Sequence, residues 1–173
     1  MTESALGLEF DRLEEGLKVS TRGRTITETD LVSFSALTGD WHPQHADADW
    51  AATSSFGERI AHGMLILSYA VGLLPIDPDR VAALRGLRSV VFKRPAPIGT
   101  TIYVEAEVAK LRPLDSAHGL VELALRVRDG EDRLLVKGSI DALWRRHEQP
   151  DDAGGQAPAE LELSPANGEG VLI

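Results

Sequence analysis

Two hydrophobic periods divide the chain. In the first half, Leu31, Phe34, Leu37 and Thr38 recur at helical spacing, which turns one face of a helix inward. Thr27-Glu28-Thr29-Asp30 supplies the start of this helix, a threonine N-cap with an acid at the third helical position. Gly39 supplies its end, because glycine adopts the left-handed exit conformation without steric cost. Asp40 then stands just past the helix C-terminus. Leu17 to Arg24 reads as a first short strand, and Asp47 or Asp49 as the cap of a short helix around Trp50-Ala51-Ala52. The run from Met64 to Leu74 is apolar on nearly every side, the pattern of a helix buried all round, and Pro75 and Pro78 close it.

After that helix the period changes to two. Leu87–Phe92, Thr101–Leu111, Gly119–Arg128 and Arg133–Trp144 read as strands. Ile102, Val104, Ala106 and Val108 alternate with Tyr103, Glu105 and Glu107, and Val121, Leu123, Leu125 and Val127 alternate with polar or small residues. Asp129-Gly130 is a hairpin signal between the last two strands. Helices first and strands later predict an α+β domain in which a buried helix packs on an antiparallel sheet.

A length of 173 residues suits one such domain with a tail. The folded body is expected over residues 1–147. Residues 148–173 hold six acids, no lysine or arginine, and much Gly, Pro and Ala, so they read as a flexible acidic tail. The net charge of −9 argues against a nucleic-acid partner. Cysteine is absent, which excludes disulfides, thiolate metal sites and cysteine nucleophiles and agrees with a cytoplasmic setting. The first five residues lack the pattern of a signal peptide. The longest apolar run is far shorter than a membrane span.

The chemistry concentrates in Gly39-Asp40-Trp41-His42-Pro43-Gln44-His45. A carboxylate and an imidazole five residues apart, with a proline between them, can hold an acid and a base in one fixed geometry. Asp40, His42, His45 and His62 are also metal-ligand types, but Pro43 breaks any helical ligand spacing between the two loop histidines, so no metal is expected. His118 and His147 read as surface residues.

Phe34-Ser35-Ala36-Leu37-Thr38-Gly39-Asp40-Trp41-His42-Pro43-Gln44-His45, with Ala51 six residues on, resembles the signature of the R-specific enoyl-CoA hydratases, the MaoC-like dehydratases of the hot-dog fold. Ile60-Ala61-His62-Gly63-Met64-Leu65 is similar to the second motif of that family, and Phe92-Lys93-Arg94-Pro95 with Ile98-Gly99-Thr100 to its third. The resemblance spans roughly residues 15–145. It implies a single hot-dog fold, with a long central helix wrapped by an antiparallel sheet, assembled as a homodimer or a dimer of dimers. It also implies reversible syn addition of water to a trans-2-enoyl thioester, giving the (R)-3-hydroxyacyl thioester. Coenzyme A or an acyl carrier protein is then the substrate's handle, and no cofactor is needed.

The resemblance assigns Asp40 and His45 to the water and Gly63 to an oxyanion hole at the start of the apolar helix, where a backbone N–H favours a developing anion. Trp41, His42, Gln44, His62, Lys93 and Arg94 are candidate substrate contacts, with Lys93 and Arg94 weighed for coenzyme A phosphates above Arg85 and Arg88. Two positions depart from the family pattern: its Asn is His42 here and its aliphatic residue is Gln44. They leave conjugate addition of an amine open as an alternative. Thioester hydrolysis on the same fold and a non-catalytic acyl-binding subunit are further alternatives, and the retained Asp40–His45 spacing argues against both.

Overall fold

A computed structural model describes residues 5–146 of the chain. Two short strands, β1 (Lys18–Ser20) and β2 (Arg24–Thr25), lead into α1 (Glu28–Thr38), α2 (Pro43–Ala46), α3 (Ala48–Thr53) and α4 (Gly63–Leu73). Four long strands follow: β3 (Val81–Phe92), β4 (Thr101–Pro113), β5 (His118–Asp129) and β6 (Leu134–Arg145). The sheet runs β1-β4-β5-β6-β3, with β2 also on β4, and every pairing is antiparallel. The α+β expectation and the late strands hold. The expected strand over 17–24 is instead two shorter ones, and the acidic tail lies outside the described residues.

The period-two pattern builds the core. Ile102, Val104 and Val108 of β4, Val121, Leu123 and Val127 of β5, and Ile140, Ala142 and Trp144 of β6 are buried against Leu65, Ile66 and Ala70 of α4. The Trp144 indole N–H donates to Leu8 O at 2.9 Å, which pins the N-terminal segment over the sheet.

α1 begins with the capping box its sequence predicts. Thr27 Oγ1 accepts from Asp30 N, and Asp30 Oδ2 accepts from Thr27 N at 2.7 Å. Gly39 ends the helix at φ 78°, in the left-handed region. Its inward face differs from the expected one. Leu31 and Ser35 are buried and Phe34 is half-buried, but Leu37 is 82% exposed. One turn after Leu31 the core side is taken by the small Ser35, and Leu37 falls on the opposite face.

α4 spans 11 residues and is not buried all round. Leu65, Ile66, Leu67 and Ala70 are buried, while Met64, Ser68 and Gly72, at four-residue spacing, lie on an exposed face. The Asp129–Arg133 turn also departs from the simplest hairpin. Asp132 rather than Gly130 takes the left-handed conformation, at φ 62°, and Asp129 Oδ1 accepts from the N–H groups of Glu131 and Arg133.

Candidate active site

The end of α1, the short helix α2 and the start of α4 converge on one cavity of about 630 Å³. Asp40, Gln44, His45, His62, Gly63, Lys93 and Arg94 line it with an apolar wall that includes Phe34, Ile60, Met64 and Phe92. Trp41 and His42, expected as substrate contacts, do not line it. Trp41 is 53% exposed. His42 is used structurally: its Nδ1 accepts from Gln44 N at 3.2 Å and caps α2 ahead of Pro43. Any acceptor of that reach caps the turn, and a histidine supplies it here.

Asp40 is held by its own loop. Its amide donates to Thr38 Oγ1, and its Oδ1 accepts from His42 N at 3.2 Å, an Asx turn that orients the carboxylate. Its carbonyl accepts from His62 Nε2 at 3.1 Å. His45 is buried, and its Nδ1 donates to Ile60 O at 2.7 Å. A carbonyl only accepts, so Nδ1 carries the proton and Nε2 carries the lone pair of the neutral ring. Gln44 Nε2 lies 2.9 Å from that Nε2. Burial of the ring, reinforced by His62, holds the His45 pKa below the ordinary histidine value against the Ile60 carbonyl and Asp40, which favour the protonated form.

His62 closes the site from behind. Its ring stacks on His45 with centroids 3.7 Å apart, and Ser35 Oγ lies 3.2 Å from its Nε2. It is 2% exposed, and its Nδ1 has no hydrogen-bond partner among the described residues. Asp40, His45 and His62 each bring a possible ligand atom within 4.8 Å of the others. The imidazoles are inclined by only 24°, so their in-plane lone pairs run side by side instead of meeting at a point. That geometry suits proton transfer better than coordination.

Gly63 is the first residue of α4. Its N–H has no carbonyl one turn earlier to bond to and is directed at the helix's N-terminal end. A methyl group at this position would lie 2.7 Å from Phe92 Cε1, so only glycine lets that ring pack over the helix start. Arg94 Nη1 donates to Leu134 O, and Lys93 is exposed at the cavity rim. Sequence reasoning did not find Ser35, the Ile60 carbonyl or the Phe92 ring as parts of the site. Each lies within one of the three quoted motifs, which was the available signal, but its task in the site depends on tertiary contacts.

The sequence matches the MaoC like domain family over residues 12–128. The chain belongs to that family. Among curated relatives, the (R)-specific enoyl-CoA hydratase of Rhodospirillum rubrum is 35% identical over 104 residues, 60% of this chain and 72% of the relative. Protein MaoC of Klebsiella aerogenes is 40% identical over 96 residues, 55% of this chain, and the match spans only 29% of that longer protein.

Among solved structures, a monoamine oxidase regulatory protein from Archaeoglobus fulgidus superposes with a TM-score of 0.77 at 36% identity, over 81% of this chain and 95% of that one. The R-hydratase PhaJ1 of Pseudomonas aeruginosa gives a TM-score of 0.68 at 32% identity, over 85% and 96%. A double hotdog fold protein of Mycobacterium tuberculosis gives 0.73 at 23% identity, covering 94% of this chain and 52% of that one. The last bears on the fold alone, and the MaoC-like domain described here is a single hot-dog.

Proposed function

We propose that this MaoC-like protein catalyses the reversible hydration of trans-2-enoyl thioesters to (R)-3-hydroxyacyl thioesters. The observation that carries the reading is the convergence of the Asp40 carboxylate, the His45 Nε2 lone pair and the Gly63 N–H on one largely apolar cavity. The hydratase names of its relatives support the same reaction class.

The chemistry follows from the groups. A water held between Asp40 and His45 attacks the β-carbon of the enoyl thioester and forms the new C–O bond. Asp40 takes the proton that the water loses. The π electrons move toward the thioester oxygen, whose enolate charge is met by the Gly63 N–H at the positive end of α4. As the enolate collapses, the α-carbon takes the proton from Asp40, which returns to carboxylate. One water is consumed, no electron is gained or lost, and the steps call for neither metal nor redox cofactor.

The apolar wall suits an acyl chain. Lys93 and Arg94 at the rim suit an anionic handle, coenzyme A phosphate or carrier-protein phosphopantetheine. The exposed stripe Met64, Ser68 and Gly72 and the edge of β3 that no described strand covers, with Leu84, Leu87, Val91 and Phe92 exposed, support a homodimer or dimer of dimers. Among the described residues no helix is long and apolar enough to cross a membrane, and the cysteine-free sequence fits a cytoplasmic setting.

The test is incubation with crotonyl-CoA, longer enoyl-CoAs and an enoyl carrier-protein thioester, following loss of the conjugated thioester absorbance and the configuration of the product. The reading expects turnover to the (R)-alcohol. Absence of turnover with all of them, or turnover only when an amine is supplied, overturns it.

A further inference from the structure

We infer that Gln44 is a positioning residue that governs when the nucleophile reaches His45. This rests on the hydration reading above and deepens it. His45 donates through Nδ1 to Ile60 O, so its one lone pair is at Nε2, and the Gln44 side-chain nitrogen stands 2.9 Å from it. A ring nitrogen accepts one in-plane hydrogen bond. The amide therefore holds the place that a water between Asp40 and His45 requires. The aliphatic residue of the resembled motif has no donor with which to do this.

The backbone of Gln44 is tied on both sides. Its N–H donates to His42 Nδ1, and its carbonyl accepts from Ile60 N at 3.1 Å. Only the side-chain torsions are left to move, and the side chain lies on the cavity wall, where an entering acyl thioester meets it. Gln44 thus keeps the base capped in the empty and in the thioester-bound site, and its amide has to turn aside before the water is admitted. His42, by capping α2 through the Gln44 N–H, fixes the pivot of this movement.

Admitting the nucleophile costs one neutral hydrogen bond, which corresponds to about a 3- to 10-fold effect on rate. Gln44→Leu removes the donor. Gln44→Asn keeps the amide but falls one methylene short of Nε2. Both are expected to raise kcat for crotonyl-CoA hydration by about 3- to 10-fold while KM changes by less than about 2-fold. Gln44→Glu keeps the length but offers an acceptor, which favours the protonated ring and moves the acid limb of the pH profile upward.

A second readout needs no turnover: the rate at which diethyl pyrocarbonate modifies His45, mapped by mass spectrometry with exposed His42 as the internal reference. Modification of His45 should quicken about 3- to 10-fold in Gln44→Leu, since the reagent needs the free lone pair. Unchanged or slower hydration in the Leu and Asn variants, or equal modification rates, would overturn the proposal. If the wild type hydrates no thioester while the modification rates still differ, the hydration reading fails and the capping of His45 by Gln44 stands.

Discussion

At the scale of single residues, the account gives each polar group of the cavity a separate task. Asp40 moves the proton, so Asp40→Asn and His45→Ala should each lower kcat by about 10²- to 10⁴-fold, the usual worth of a positioned acid–base group, with thermal unfolding little changed in Asp40→Asn but lowered in His45→Ala, which removes a buried ring and its bond to Ile60 O. His45 works as the neutral ring. Because burial holds its pKa below the ordinary histidine value, the acid limb of kcat/KM that reports its protonation should fall below about 6.5, and a limb above that value would contradict the burial argument. The same depression means that the unfolded chain binds the proton more readily. The contribution of His45 to stability is thus complete above the ordinary value and is lost as pH falls through the lowered one. Gly63→Ala places a methyl 2.7 Å from the Phe92 ring and should cost about 1–3 kcal/mol of stability as overpacking, visible as a lowered Tm together with lowered kcat.

At the scale of elements, the helix that ends at Gly39 aims the catalytic loop, and its anchorage can be tested apart from the chemistry. Asp30 accepts from Thr27 N at the cap, from the Tyr69 hydroxyl of α4 at 2.6 Å and from Arg24 of β2. Burial raises its carboxyl, but the bonds from Tyr69 and Thr27 and the charge of Arg24 outweigh it, so the pKa is lowered. Its stabilising effect is therefore present above the ordinary value of 3.8 and is lost as pH falls through the lowered one. Asp30→Ala should cost about 2 kcal/mol, a cap plus a half-buried hydrogen-bond network, measured by urea unfolding at neutral pH.

This element shows why so much was legible beforehand. A threonine cap, an acid three residues on and a closing glycine are local signals, and local signals survive folding. The period-two strands were readable for the same reason. Leu37 was misread because helical spacing does not say which of two adjacent stripes faces the core. Ser35, the Ile60 carbonyl and Phe92 lie within the three motifs, but their tasks in the site come from contacts between segments far apart in the chain, which the motifs do not spell out. Gln44 could be singled out as unusual, but its bond to His45 is visible only once α2 has formed.

At the scale of the whole molecule, the sheet wraps α4 and, among the described residues, leaves an open edge. Among the described residues β3 pairs only with β6, and it leaves Leu84, Leu87 and Val91 exposed. Light scattering should give a mass of at least twice the 18.7 kDa chain, and Leu87→Lys should shift it toward the monomer, since an edge lysine blocks strand pairing. A monomeric wild type would remove the assembly from the account but leave the site chemistry to be judged alone. That chemistry, an acid–base carboxylate acting on water inside an acyl pocket, is tested most directly by kcat for enoyl-CoA hydration in wild type and Asp40→Asn side by side. The account predicts turnover by the wild type and a loss of at least about 100-fold in the variant, and equal rates in the two proteins would contradict it.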